Sequence, residues 1–211
     1  MARAARKSGA ARRTRTPTDD ASVADASLEA RLIDAALAVA ARDGWRAANP
    51  AAIATEAGVG LAALYDHIPD RTSILAGLMR RIDRAVLAAP AEAEGSPRDR
   101  LFDVLMRRFE ALQPYRAALL ALARDGVDPL RMAALAPALA RSMGWMLAAA
   151  GLEAGGILGR LRIAGLTVVY ATAFRAWLAD DGADLGKTMA ALDRGLAQAE
   201  RWASALPGAR R

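Results

Sequence analysis

Residues 50–68 read PAAIATEAGVGLAALYDHI, a pattern typical of two short helices joined by a tight turn. Asn49 and Pro50 suit the start of a helix, and Gly58 suits the turn that follows Ala57. The apolar residues that are spaced to face a common interior are Ile53, Val59 and Leu64. This spacing predicts a helix-turn-helix, although helical hairpins with a glycine turn also occur in ordinary helical bundles.

Helical spacing continues on both sides of this stretch. Apolar residues recur at helical intervals from Leu28 onward, and no alternating β-branched run indicates a sheet. We therefore predict an all-α fold of about nine helices, with Pro90–Ser96 as the clearest linker. Capping residues, prolines and glycines place the predicted helices at residues 28–42, 50–57, 61–67, 71–88, 97–112, 115–123, 129–150, 157–179 and 185–203.

The positive charge of the chain lies at one end of the sequence. The formal net charge is +6, from 29 Lys and Arg against 23 Asp and Glu. Residues 1–16 contain no acid and six basic residues, which are Arg3, Arg6, Lys7, Arg12, Arg13 and Arg15. The rest of the chain is therefore neutral. We predict a disordered basic arm over residues 1–26, which leaves three partners open: DNA, an anionic membrane, or none.

This arm could also be a targeting segment. Arg12 and Arg13 are adjacent, as in a twin-arginine export signal, but no apolar segment follows them. Arg-rich, acid-poor stretches also occur in organelle transit peptides, and the sequence leaves that alternative open.

Beyond the spacing, the stretch AGVGLAALYDHIPDR at residues 57–71 resembles the N-terminal DNA-binding domain of the TetR family of transcriptional regulators. The pairs Gly44-Trp45 and Ile53-Ala54 belong to the same pattern, which extends over residues 29–88. The resemblance implies a cytoplasmic, dimeric regulator that binds double-stranded operator DNA. It further implies a helix-turn-helix domain over residues 27–88 and a helical ligand-binding and dimerisation domain over residues 97–206.

The same resemblance assigns the DNA contacts. The residues that would open the recognition helix at the base edges are Gly60, Leu61, Ala62 and Ala63. Those that would meet phosphates are Asn49, Tyr65, His67 and Arg71. None of the four recognition residues is able to form a bidentate hydrogen bond to a base, which leaves contact with thymine methyl groups. Residues 50–68 also contain two acids, Glu56 and Asp66, and no Lys or Arg.

The C-terminal half carries a second resemblance. Residues 167–196, TVVYATAFRAWLADDGADLGKTMAALDRGL, resemble the coenzyme Q biosynthesis accessory family, whose helical members are similar in fold to TetR regulators and bind lipids. This resemblance implies an alternative function, a lipid- or isoprenoid-binding accessory protein of ubiquinone biosynthesis that binds no DNA and contacts a membrane. The acidic turn of Asp180, Asp181 and Asp184 could cap a helix or bind a hard cation, and its position between two helices favours capping.

Two further sites are expected in the C-terminal half. A pocket for an apolar small molecule or lipid is predicted among Phe109, Met143, Trp145, Met146, Tyr170 and Phe174, with core filling as the alternative. A homodimer interface is predicted along the stripe Leu185, Met189, Leu192 and Leu196, with burial inside the chain as the alternative.

Composition excludes several classes of chemistry. The chain has no cysteine and therefore no disulfide or thiolate metal site, and its only histidine, His67, excludes a site built from several histidines. No glycine-rich phosphate loop or catalytic pair of carboxylates is evident, so we expect neither an enzyme nor a cofactor. The longest uncharged apolar run, Ile163–Phe174, is too short to span a bilayer, which favours a soluble protein.

Overall fold

The computed structural model describes residues 17–89, 94–126, 128–182 and 184–205, and within these ranges the chain is entirely helical, with no strand. A 3₁₀ turn at Gln113–Tyr115 separates two of the helices. The helices are α1 (Pro17–Asp43), α2 (Pro50–Ala57), α3 (Leu61–His67), α4 (Arg71–Ala88), α5 (Pro97–Leu112), α6 (Arg116–Arg124), α7 (Pro129–Ala149), α8 (Gly156–Leu178) and α9 (Gly186–Ala205). The predicted all-α class and helix number are confirmed.

The first helix differs from the prediction. It begins at Pro17 rather than at Leu28, so residues 17–26 of the predicted arm are helical. Proline suits the first helical position, and the alanines that follow have a high helix propensity, which outweighs the lack of apolar periodicity here. Residues 1–16, with the six positive charges of the arm, lie outside the described residues.

Buried side chains from both halves of the chain form one hydrophobic core. In this core α1 packs against α2 and α6, α4 packs against α5 and α7, and α8 packs mainly against α9. Aromatic rings join α5 to α8: the Phe109 and Tyr170 rings stack with centroids 5.4 Å apart, and Phe174 and Trp177 stack at the same separation. The helix-turn-helix is therefore joined to the C-terminal helices by the packing of α1 against α6 and of α4 against α5 and α7.

A buried charged cluster, Asp83, Arg108 and Ser142, links α4, α5 and α7. Arg108 is 1% exposed, and its guanidinium pairs with the carboxylate of Asp83. The Ser142 hydroxyl donates to Asp83 Oδ1 at 2.7 Å, and the Arg108 guanidinium carbon lies 5.2 Å from the centre of the Tyr170 ring. Burial acts to lower the pKa of Arg108, but its interactions with Tyr170 and Asp83 outweigh this and raise the pKa above the ordinary arginine value. The core therefore contains a charged pair from α4 and α5, to which α7 adds a hydrogen bond from Ser142.

The three acids between α8 and α9 each have a partner from the protein. Asp180 Oδ2 accepts hydrogen bonds from the Thr188 N–H and hydroxyl, both at 2.8 Å. Asp181 pairs with Arg116 at 3.0 Å, and Asp184 Oδ1 lies 3.4 Å from the Gly186 nitrogen. Among the described residues, no group of three or more carboxylate or histidine side chains is placed to hold a metal ion. The geometry supports capping of α9 by Asp180.

We expect Asp180→Ala to lower the free energy of unfolding at about pH 7 by about 1–3 kcal/mol, because the buried Thr188 donors lose their acceptor. Burial acts to raise the pKa of Asp180, but the hydrogen bonds from Thr188 outweigh it and hold the pKa below the ordinary 3.8. The contribution of Asp180 is therefore complete above 3.8 and is lost as the pH falls through the lower folded value. Urea unfolding of wild type and variant at about pH 7 and about pH 3 should show a smaller difference in acid; equal differences would contradict this assignment.

Of the described helices, α8 alone is long and apolar enough to cross a membrane by length and composition. The predicted bounds of this helix, residues 157–179, agree with the structure, but the uncharged run 163–174 used to judge a membrane span covers only part of it. A single helix of this kind is weak evidence of a membrane span, because core helices meet the same criterion. Leu166, Tyr170 and Trp177 are buried on the side of α8 that faces the core.

Candidate DNA interface

The turn between α2 and α3 is built as the sequence predicts. The Asn49 side chain accepts a hydrogen bond from the Ala52 N–H at 3.0 Å and so caps α2. Gly58 has φ of +66°, a left-handed conformation that glycine adopts without strain, and its N–H and that of Val59 bond back to α2 carbonyls. These local bonds set α3 across α2 as a helix-turn-helix.

The inner and outer faces of α3 differ sharply. Leu64 is 4% exposed and packs into the core, whereas Leu61 is 57% exposed and Tyr65 is 72% exposed. Ala62 is also exposed, and Ala63 is half-buried. The first turn of α3 therefore presents an apolar surface to its surroundings, and the Tyr65 hydroxyl and the Asp66 carboxylate are the exposed polar groups that follow it.

Two arginines of α1, Arg31 and Arg42, form hydrogen bonds to polar groups of the helix-turn-helix. The Arg42 guanidinium bonds to Glu56 at 3.1 Å and to Asp43 at 3.0 Å, and these hydrogen bonds raise the pKa of Arg42. Arg31 donates to the carbonyl oxygen of Ala57 at 2.9 Å, at the end of α2. The charge of Glu56 is thus balanced by α1, and the acidic character that the sequence indicates for the motif is reduced.

The predicted phosphate-contacting residues lie on or near the same surface. Asn49 and Tyr65 are exposed, and Arg71 donates to the carbonyl oxygen of Arg46 at 3.0 Å. His67 is less available, because its Nδ1 lies 2.9 Å from the Ala63 carbonyl oxygen and its Nε2 lies 3.7 Å from Asp25.

Sequence reasoning missed Arg46 at this surface. The residue is exposed, its backbone N–H donates to Asp125 Oδ2 at 2.8 Å, and its guanidinium lies 3.4 Å from the Asp125 carbonyl oxygen. Its position directly after Gly44-Trp45, close before the Asn49 cap, is the signal that could have identified it. Arg46, in the loop between α1 and α2, and Arg71, at the start of α4, are therefore neighbours, joined by the hydrogen bond from Arg71 to the Arg46 carbonyl oxygen.

The predicted pocket residues are mostly packed in the core. Phe109, Met143 and Met146 are fully buried, Tyr170 is nearly so, and Phe174 is half-buried. Trp145 is 54% exposed on α7 and so does not share a pocket with the buried members of this set. Within the single chain the buried members belong to the hydrophobic core, as the alternative of core filling expects, and the rings of Phe109, Tyr170 and Phe174 pack in series.

The predicted dimer stripe is also largely buried. Leu185, Leu192 and Leu196 have exposures of 5%, 0% and 4%, and only Met189, at 37%, reaches the surface. Within the single chain the three leucines are buried, as the alternative of intramolecular packing expects, and Leu196 also lines a groove between α8 and α9. The two helices pack closely, since a Cβ added at Gly195 would lie 2.8 Å from Val169 Cγ1.

A different apolar surface lies on the outer side of α8 and α9. It includes Ile157, Leu161 and Val168, which are 74%, 57% and 67% exposed, and Trp202, which is 71% exposed. A groove of about 1040 Å³ runs along it, lined among others by Leu158, Leu161, Gly165, Val168, Ala199 and Trp202. None of the six predicted pocket residues lines this groove. We call this surface the α8–α9 face.

Comparisons with known proteins agree with this geometry. Residues 32–78 match the model of the bacterial regulatory proteins of the tetR family. A TetR transcriptional regulator from Nitrosomonas europaea has a similar structure, with a TM-score of 0.66 and 20% identity over 82% of this chain and 98% of that one. The fold is that of the TetR regulators. A TetR regulator from Rhodococcus sp. RHA1 gives a TM-score of 0.61 at 20% identity, over 82% of this chain and 94% of that one.

The matches to TetR regulators also bear on the second resemblance. No curated protein matches the chain. The resemblance of residues 167–196 to the coenzyme Q accessory family is not confirmed, because the matching family model covers the helix-turn-helix and the similar structures are TetR regulators.

Proposed function

We propose that the protein is a DNA-binding transcriptional regulator of the TetR type, most simply a repressor, that acts as a homodimer in the cytoplasm without catalysis. The observation that carries this proposal is the match of residues 32–78 to the family model at the place where α3 lies exposed on a correctly capped helix-turn-helix. In such a motif the second helix enters the major groove.

The DNA contacts follow from the exposed groups. Asn49, Tyr65, Arg46 and Arg71 would position the protein on phosphates, and His67 would contribute less because both of its ring nitrogens face protein groups. Gly60, Leu61, Ala62 and Ala63 would face the base edges. Because this surface offers few free cations, its contribution to nonspecific affinity would be small.

The α8–α9 face is the proposed dimer interface. Its large exposed side chains are apolar, and groups of both charge signs border the groove, including Arg162, Arg194 and Glu200. A two-fold interface brings the same patch of both subunits together, and a patch that carries both signs of charge is able to pair with its own copy. Pairing of two copies would cover the apolar residues and set the spacing of the two α3 helices.

An apolar small molecule is the effector class we propose. Binding among Phe109, Tyr170 and Phe174 would have to separate rings that are stacked in the present arrangement. A ligand that binds only the opened arrangement would shift the chain toward it and alter the spacing of the DNA-binding helices.

A titration by fluorescence anisotropy tests the proposal. The full-length protein is titrated into labelled duplex from upstream of its own gene and into random duplex of the same length, each over a range of salt concentrations. We expect tighter binding to the upstream duplex at every salt concentration. Equal affinity for the two duplexes at all salt concentrations would overturn the regulator assignment.

Deleting residues 1–16 tests the basic arm. We expect nonspecific affinity to fall and the slope of log affinity against log salt to flatten by as much as about 5 per subunit, because each arm can lose up to six phosphate contacts at about 0.9 each. Preference for the upstream duplex should remain. The same titrations measure both quantities, and an unchanged slope would show that the arm does not contact DNA.

The lipid-binding accessory function is not favoured by any observation on this chain. Native mass spectrometry of the purified protein separates it from the regulator assignment. A stoichiometric isoprenoid, together with no preference among duplexes, is the result that would restore it.

A further inference from the structure

We propose that Leu61 and Ala62 read thymine methyl groups and that this contact, rather than hydrogen bonding to base edges, supplies the sequence specificity of α3. The inference rests on the proposed function and names the bases that the interface selects. The positions concerned would be A·T pairs with the methyl group of thymine facing the helix.

The exposed surface of α3 carries the argument. Leu61 is 57% exposed at the start of the helix, Ala62 is exposed beside it, and Leu64 on the opposite side is buried. A large exposed leucine next to an alanine leaves an apolar patch at the position where the second helix of the motif meets base edges. The thymine methyl is the apolar group that the major groove offers to such a patch.

The basic groups and the imidazole near this patch have partners within the chain. Both ring nitrogens of His67 face protein groups, Arg31 bonds to the Ala57 carbonyl, and Arg42 bonds to Glu56. Asp66 is exposed but is an acceptor only, and it repels phosphates. The Tyr65 hydroxyl, which we assign to phosphate, and the Asp66 carboxylate are therefore the exposed polar groups that α3 offers for hydrogen bonding to bases. Apolar contact needs no group beyond Leu61 and Ala62.

Uracil in place of thymine isolates the methyl group, because uracil keeps every base-pairing and hydrogen-bonding atom. The full-length protein is used to select its preferred duplex from a randomised thymine-containing library, and each thymine of that duplex is then replaced singly by uracil. We expect affinity to fall about fourfold at one or two positions in each half-site. Replacing the equivalent positions in both half-sites should reduce it roughly sixteenfold. These ratios should not depend on salt, since the methyl carries no charge.

Leu61→Ala identifies the side chain responsible. We expect this variant to bind the thymine duplex more weakly and to lose the difference between thymine and uracil at the contacted position. Leu130→Ala is the matched control, because Leu130 is 81% exposed on α7, and it should retain the full difference. Both leucines are exposed, so neither substitution removes core packing.

The outcomes separate this inference from the function on which it rests. If selection yields no preferred duplex, DNA recognition itself fails, and the inference fails with it. If a preferred duplex emerges and tolerates uracil at every position, the regulator assignment stands and thymine readout is overturned. If the Leu61→Ala variant still binds the uracil duplex more weakly than the thymine duplex at the contacted position, the role of Leu61 is overturned.

Discussion

Asp83→Ala is expected to lower the free energy of unfolding by about 3–5 kcal/mol. The substitution leaves the guanidinium of Arg108, which is 1% exposed, without its carboxylate partner in the core, and it deprives the Ser142 hydroxyl of its acceptor. Denaturation in urea, followed by circular dichroism, measures the loss. If the variant does not fold, its yield of soluble protein is compared with that of the double variant described below.

Two further variants test whether the loss at Asp83 comes from leaving the charge of Arg108 buried without a partner. Asp34→Ala breaks the ion pair to Arg81, but the Asp34 side chain is 57% exposed, so a loss of less than about 1 kcal/mol is expected. Asp83→Leu combined with Arg108→Met replaces the buried pair by apolar groups and should recover much of the stability. A loss at Asp83 as small as that at Asp34 would show that water reaches the core cluster.

Leu161→Glu is expected to weaken the homodimer by about a hundredfold or more. Leu161 lies on the α8–α9 face and is 57% exposed in the single chain, so the folded subunit accommodates the carboxylate. In a two-fold dimer the substitution would bury one charge from each subunit, at a cost of several kcal/mol per ion. Sedimentation velocity over a range of protein concentrations measures the change in the dissociation constant.

Leu130→Glu makes the same chemical change on α7, where Leu130 is 81% exposed, and serves as the control. It should leave both the dimer and its affinity for DNA unchanged. The proposed dimer would bind two half-sites at once, so Leu161→Glu should also reduce affinity for the preferred duplex. A dimer that tolerates glutamate at position 161 would show that the apolar face has another occupant.

Much of the fold was predictable because its signals are local. The cap at Asn49, the proline after it and the glycine at position 58 act within a few residues, and the structure places helix ends accordingly. The start of α1 was missed for the opposite reason. Residues 17–26 lack an apolar stripe, so the propensity of alanine and the proline at the first position were the only signals.

The sites were harder to predict because a stripe of apolar residues does not tell which partner covers it. Leu192 and Leu196 have the spacing of an interface, yet both are buried within the chain, whereas Leu161 and Trp202 are large and exposed on the outer face. Only the packing of α8 against α9 shows which side of each helix is buried and which is exposed. Arg46 was missed because its position beside Arg71 depends on how the start of α4 packs against the loop between α1 and α2.

The single core has a consequence for cooperativity. The side chains of α4 that face inward, Ile74, Leu78, Ile82 and Val86 among them, belong to the same buried cluster as residues of α5 and α7. A fragment ending at residue 89 would expose this surface and leave Asp83 without Arg108. We therefore expect the helix-turn-helix to need the following helices for its stability and to melt in the same transition as they do.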